Sequence, residues 1–326
     1  MNEGTLNPNN MKKLYTILIA MLLCGAAQAQ IDSLQQIPAS VPYSCDFNNQ
    51  TENARWILTR SGNVYTSYLN HFTIGSGTSM AGGTDKSLYI SNDTSALEMY
   101  GANSDESSHY YADRIIDFGS VPQNCELELD WKASGYQNGG YLYAGLKVFL
   151  RDTADLMPQG APSYSADYLE LAVGDTGWRH IRVPLHNVSG LKTLQFYTWG
   201  YHNPSAGNVP AAIDNISITP STCDAPQFTV TVDGAEAILN WQGTDTDTFL
   251  IIYRPANGTA QNNVNEIISG NLATITGLVP NTEYIVWMAK ICDGDTSAMD
   301  LGTHFITGCG TYIAPFEEHF ALNQHC

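Results

Sequence analysis

The stretch Leu278-Val279-Pro280-Asn281-Thr282-Glu283-Tyr284, running on through IVWMAK (Ile285–Lys290) to Ile291-Cys292, sets the reading of the whole chain. From Thr282 to Cys292 it is a long apolar segment with β-branched and aromatic residues, which is the signature of a central strand. Its neighbours are of the same kind. AEAILNW (Ala235–Trp241) is a strand with Trp241 turned inward. TFLIIYRP (Thr248–Pro255), LATITGL (Leu272–Leu278) and THFITGC (Thr303–Cys309) are three more, and QFTVTV (Gln227–Val232) is the first of the series.

With one weaker strand these make roughly seven in fewer than about 90 residues, the immunoglobulin-like sandwich pattern. Pro220-Ser221-Thr222-Cys223-Asp224-Ala225-Pro226 marks the boundary on the N-terminal side. Upstream of it, from Val41, a further series of alternating segments predicts a second all-β unit. They are SLYIS (Ser87–Ser91), CELELDW (Cys125–Trp131), YLYAGLKVFL (Tyr141–Leu150), DYLELAV (Asp167–Val173), WRHIRVPL (Trp178–Leu185), LKTLQFYTW (Leu191–Trp199) and AAIDNISI (Ala211–Ile218). Their apolar residues recur at period two, and Gly/Asn-rich turns separate them. No segment sustains a helical apolar period. The size and strand number favour two packed antiparallel sheets, a jelly-roll-like sandwich.

The N-terminal end reads as a secretory signal. Met11-Lys12-Lys13 is a short basic region, Leu14–Gly25 is apolar, and Ala27-Gln28-Ala29 is a small-x-small cleavage site, so the mature chain is expected to start near Gln30. The apolar run is shorter than the roughly 20 residues a spanning helix needs, and nothing after Ala29 is apolar enough to cross a membrane. Met11 begins the signal better than Met1 does. Cys24 raises lipid attachment as an alternative, against which Leu22 and Leu23 stand where small residues are wanted.

The formal net charge is −18, with charged residues making up only 14% of the chain. An acidic surface of this kind repels nucleic acid and anionic membranes. It suits neutral glycans, divalent cations or basic proteins. After the signal, six cysteines remain (Cys45, Cys125, Cys223, Cys292, Cys309, Cys326), none in a C-x-x-C pair. Export implies disulfides, and the number of cysteines leaves the pairing open.

The chain also repeats itself. Val41-Pro42-Tyr43-Ser44-Cys45-Asp46-Phe47-Asn48-Asn49 is echoed by IAPFEEHFALN (Ile313–Asn323), with the proline, the following aromatic and the later phenylalanine at matching spacing. Such repeats predict an array of modules, with a further one starting in 309–326.

The L-x-P-x-T-x-Y string at Leu278, Pro280, Thr282 and Tyr284 resembles the signature of fibronectin type III domains. That resemblance implies that Leu278 plugs the core and that the Tyr284 hydroxyl bonds back across the corner. It also places the start of the first strand beside the end of the long strand, implying a Cys223–Cys292 disulfide. Cys309 is then left for Cys326 and Cys45 for Cys125. More weakly, the upstream unit resembles the jelly-roll family of MAM-type and cleaved-adhesin modules. The matching pieces are P-Y-x-x-D-F at Pro42–Phe47, Gly83–Ser91, Asp117–Gly119, GWRHIRVPL from Gly177, and Ala212–Ile218. The organisation expected is therefore 1–29 leader and signal, 30–40 spacer, 41–220 jelly-roll-like sandwich, 222–308 fibronectin type III domain, and 309–326 the start of another module.

Chemistry is sparse. Gly77-Thr78-Ser79-Met80-Ala81 spells a subtilisin-like serine motif, but the histidine and aspartate contexts of a triad are missing and a strand follows where a helix is wanted. The histidines are scattered. Glu126, Glu128 and Asp130 alternate and share one face, expected to be solvated. Asp214 interrupts an apolar closing strand. The jelly-roll resemblance implies a structural calcium held by Asp214, Asn48 and Asp85, while the residue alone is equally a strand-edge polar group. Tyr136, Tyr141, Tyr143, Trp199 and Tyr201 lie at strand ends or in Gly/Asn-rich loops, where they either stack on sugar rings or pack the core and rim. The expected role is a secreted or cell-surface, non-catalytic binding or adhesion protein for glycan or protein ligands. The alternative makes these the accessory modules of a secreted protease or glycoside hydrolase.

Overall fold

The computed structural model describes residues 35–61, 71–91, 104–138, 141–153, 168–172, 174–202 and 209–309. The signal, residues 310–326 and Cys326 lie outside them. The strands in chain order are β1 Ala39–Ser40, β2 Tyr43–Cys45, β3 Ile57–Ser61, β4 His71–Gly75, β5 Ser87–Ser91, β6 Ser104–Asp117, β7 Gln123–Ala133, β8 Tyr136–Asn138, β9 Tyr141–Asp152, β10 Glu170–Ala172, β11 Asp175–Val188, β12 Leu191–His202 and β13 Ala212–Pro220. They continue as β14 Phe228–Asp233, β15 Glu236–Trp241, β16 Thr248–Pro255, β17 Val264–Ser269, β18 Leu272–Ile275, β19 Glu283–Cys292, β20 Asp295–Thr296 and β21 Thr303–Ile306. A one-turn helix, Gln50–Asn53, is capped by the Asn49 side chain, and a 3-10 turn spans Ala260–Asn262.

β1–β13 form two sheets. One runs β1-β6-β12-β9-β10, with β3 added to β6 and β8 to β9. The other runs β11-β7-β13-β5-β4, with β2 added to β13. Alternation turns Tyr110, Ala112, Ile116, Val148, Leu194 and Phe196 of the first toward Leu88, Ile90, Leu127, Leu129, Ile213 and Ile218 of the second, giving one continuous core. β1 and β2 link the two sheets, since the chain passes from one to the other at the cis Val41–Pro42 bond. Glu52 of the helical turn holds this crossing down. It takes Nε and Nη2 of the fully buried Arg114 and a hydrogen bond from the Tyr43 hydroxyl.

β14–β21 form a second sandwich, β14-β15-β18 facing β17-β16-β19-β20 with β21 on β19. This is the immunoglobulin-like two-sheet arrangement. Its core includes Trp241, Phe249, Ile251, Val286, Met288 and Phe305. Leu278 is buried within it, and the Val279 N–H donates to the Tyr284 hydroxyl at 3.1 Å, the corner bond the signature implies.

Cys223 and Cys292 form a disulfide. Cys309 is also disulfide-bonded. The expected Cys45–Cys125 bond does not form: both thiols are free and buried. The strand register gives the reason. Cys45 pairs with Ile216 and Cys125 with Pro220, on opposite edges of β13. Those positions are about 13 Å apart along the strand at about 3.3 Å per residue, well beyond the roughly 7 Å between Cα atoms that a disulfide can span.

Candidate functional site

β13 carries a bulge between Asp214 and Ser217, where Asn215 takes a positive φ of 50°. The bulge reverses the alternation, so Ile213 before it and Ile216 after it both face the core. Asp214 stays on the other face and is nonetheless fully buried, because the loop between β4 and β5 folds over it. Its Oδ2 accepts from the Met80 N–H at 2.9 Å and its Oδ1 from the Asn215 N–H at 2.8 Å. The GTSMA string is thus a covering loop. Ser79 Oγ accepts from the Gly82 N–H, and Lys132 Nζ donates to Thr78 Oγ1 at 2.7 Å.

The row opposite Asp214 is Asp130 on β7 and His180 on β11. Asp130 takes the Asn215 side-chain amide at 2.7 Å and faces His180 Nδ1 at 3.0 Å. The expectation of a solvated Glu126/Glu128/Asp130 face is therefore corrected at both ends. Asp130 is 6% exposed, partnered by Asn215 and His180, and half-buried Glu126 accepts from the Ala298 N–H of the second sandwich.

Asn48 and Asp85 meet side chain to side chain, and Asn48 Oδ1 accepts from the Lys86 N–H. Burial, then the charges of Asp85 and Asp130, push the Asp214 carboxyl up to about 6 against its two N–H bonds. Asn48, Asp85 and Asp214 therefore share one corner. Among the described residues no three His, Cys, Asp or Glu side chains gather as a metal cluster. A cation here would need the Asn48 amide oxygen and backbone carbonyls beside the two carboxylates, a donor set that suits a hard, oxygen-seeking ion. A groove of about 1130 Å³ runs beside this corner between Ser40, Asp46, Asn49, Arg55 and Ser217.

The aromatic candidates converge in the backbone. Tyr136 pairs with Ala144, Asn138 with Tyr141, and Trp199 with Gly145, so β8, the start of β9 and the end of β12 bring Tyr136, Tyr141, Tyr143, Trp199 and Tyr201 to one end of the seven-stranded sheet. Their side chains lie outside the described set. Further along the same sheet, on the face away from the core, Tyr111, Phe149 and Tyr197 form a second apolar cluster with Tyr168 packed against it. The next cross-strand rank holds Asp113 and Gln195, both fully buried, with Gln195 Nε2 donating to Asp113 Oδ1 at 2.9 Å. Burial drives the Asp113 carboxyl up to about 7, opposed by Gln195 and Arg151. Asp113 Oδ2 and Gln195 Oε1 have no hydrogen-bond partner. Sequence reading missed this pair because neither residue belongs to a motif.

No protein-family model matches the chain, and no curated protein matches it. Among solved structures it is similar to the fn3 domain of human collagen alpha-1(XX), at 17% identity and a TM-score of 0.27 over 30% of this chain and 98% of that one. It is similar to the fn3 domain of human contactin 1 at 17% identity and a TM-score of 0.27, over 30% and 86%. The glycoside hydrolase domain of Endo-D from Streptococcus pneumoniae is 12% identical, with a TM-score of 0.32 over 78% of this chain and 38% of that one. The class of the protein is thus an all-β chain of two sandwiches, defined by strand order and register.

Proposed function

We propose that this chain is the binding part of a secreted or cell-surface protein that holds an extracellular glycan or protein ligand without performing chemistry on it. The observation that carries this reading is the gathering of Tyr136, Tyr141, Tyr143, Trp199 and Tyr201 at one end of the seven-stranded sheet. Flat amphipathic rings suit stacking on sugars, with little ordering cost on binding. The disulfides agree with an extracellular setting. The test is binding of the full chain to arrayed neutral glycans and extracellular matrix proteins, with Trp199→Ala expected to weaken capture at least tenfold. Unchanged capture by Trp199→Ala moves the ligand elsewhere, and turnover of any arrayed substrate refutes a purely binding role.

The same reading includes a structural calcium at Asn48, Asp85 and Asp214. Its support is the buried Asp214 carboxyl with the Asn48–Asp85 pair at the same corner, where a cation offsets the cost of the charge. Binding to the folded state alone stabilises by about 2.7 kcal/mol at a hundredfold excess over Kd. Millimolar calcium should therefore raise the melting temperature relative to chelator in the wild type but not in Asp214→Ala. Identical melting in both, with no metal found by mass, removes calcium from the account.

A further inference from the structure

The junction between the two sandwiches is built from named contacts. Arg182 on β11 holds Glu126 through Nε and Nη2 at 2.8 and 3.1 Å, and its Nη1 donates to the Thr296 carbonyl of the second sandwich at 3.0 Å. The same Glu126 accepts from the Ala298 N–H at 3.3 Å. His186 Nε2 pairs with Asp300 at 3.2 Å, and the Ser221 N–H donates to the Asn124 carbonyl at 2.9 Å. The linker that follows is tied to β19 by the Cys223–Cys292 disulfide. The two sandwiches thus meet along a hydrogen-bonded junction.

Beside these contacts the walls part. A cleft of about 340 Å³ opens between Tyr168 and Leu169 on one side and Gln227, Phe228, Leu301 and Thr303 on the other, with Asp300 at its margin. The volume falls in the lower range of small-ligand pockets, and module boundaries are where such pockets concentrate. Tyr168 and Phe228 each pack partly against an apolar cluster of their own sandwich, and neither is fully covered. Leu301 is 41% exposed, although its carbonyl is held by the Trp287 indole N–H. Packing between the sandwiches has left apolar surface uncovered where hydrogen-bonding groups also converge. Gln227 supplies both donors and an acceptor, and Thr303 a hydroxyl. Among the described residues lining the cleft, Asp300 carries the one formal charge, and it disfavours an anionic ligand.

We propose that this cleft is a second saccharide site, taking a neutral sugar between Tyr168 and Phe228 with its hydroxyls on Gln227 and Thr303. It rests on the glycan form of the reading above, and it makes the junction part of the ligand-binding surface. Arg182 is a positioning residue: it touches no ligand and sets the spacing of the walls. Walls already joined by these contacts need little ordering on binding.

The experiment is calorimetry of the full chain with neutral hexasaccharides of glucose, xylose, mannose and N-acetylglucosamine. At least one should bind, and Phe228→Ala should weaken it at least tenfold. Gln227→Ala, at an exposed position where folding is not at risk, should weaken it several-fold. Arg182→Ala should weaken it too, with every lining side chain still in place. Trp199→Ala should leave one class of site intact. Binding that is unchanged in Phe228→Ala and Gln227→Ala but lost in Trp199→Ala overturns the junction site and leaves the sheet-end reading standing. Absence of heat with all four sugars overturns the junction site and the glycan reading together.

Discussion

Asp113 is a carboxyl that folding strips of water. Its protonated form resolves two defects together. A hydrogen on Oδ2 gives that atom something to donate, and the Gln195 amide that already donates to Oδ1 has an oxygen in want of a donor. The folded state then binds more protons than the unfolded chain between about pH 4 and about pH 7. Stability contributed by Asp113 is therefore greatest at the acid end of that window and falls as pH rises through it. Asp113→Asn should flatten this loss, so the gap in melting temperature between pH 5 and pH 8 should be smaller than in the wild type. An unchanged gap would show that Asp113 ionises normally. In the second sandwich, Leu278→Ala should cost about 2–5 kcal/mol as a buried truncation. Tyr284→Phe should cost about 1–3 kcal/mol by leaving the Val279 N–H without its acceptor. Denaturant melts of both variants with unaltered midpoints would contradict the corner geometry.

The strands that carry regular alternation match their sequence reading closely: AEAILNW contains β15 and TFLIIYRP is β16. β6, among the longest strands, is the instructive miss. In its C-terminal half both faces are buried, with Tyr110, Ala112 and Arg114 toward one side and Tyr111 and Asp113 toward the other. A strand covered on both faces loses its period-two signal, and the polar start SDESSH conceals it further. The β13 bulge is similar: alternation that reverses midway looks like an irregular apolar run. The Cys223–Cys292 disulfide joins residues 69 apart in sequence. Chain-entropy reasoning assigns a loop of that length about 4 kcal/mol. The double variant Cys223→Ser/Cys292→Ser should lower the unfolding free energy by an amount of that order, read from urea titration, and the main loss should fall in the second sandwich. A change below about 1 kcal/mol would mean the strand pairing alone fixes the linker.

The two sandwiches act as one body only if the junction holds. Among the described hydrogen bonds across it, Arg182 bridges Glu126 and the Thr296 carbonyl. Arg182→Ala should leave each sandwich folded while loosening their relative orientation, seen as a larger radius of gyration and broader distance distribution in small-angle scattering. A profile identical to the wild type would place the rigidity in the linker. His186 adds a pH term. The Asp300 hydrogen bond raises its affinity for protons, burial opposes this, and the charges of Asp300 and Asp224 add to the rise. Its contribution is fully present below the ordinary histidine value near 6.5 and fades as pH rises through the raised one. The junction should therefore be tighter in mildly acid solution than at pH 8, and His186→Gln should remove that difference.

Local pattern was enough for the all-β class, for most long strands and for the corner of the second sandwich, because alternation, turn residues and a short signature are written in neighbouring positions. The pairing of Cys45 and Cys125 was not, since only the sheet order shows that β13 separates them. Nor were the burial of Asp113 beside Gln195, the burial of Asp130, or the Arg182 bridge. Each depends on residues far apart in the chain meeting across a sheet or a junction, and on how much water that meeting excludes. Burial and its electrostatic consequences belong to the assembled sheets, and no run of residues along the chain specifies them.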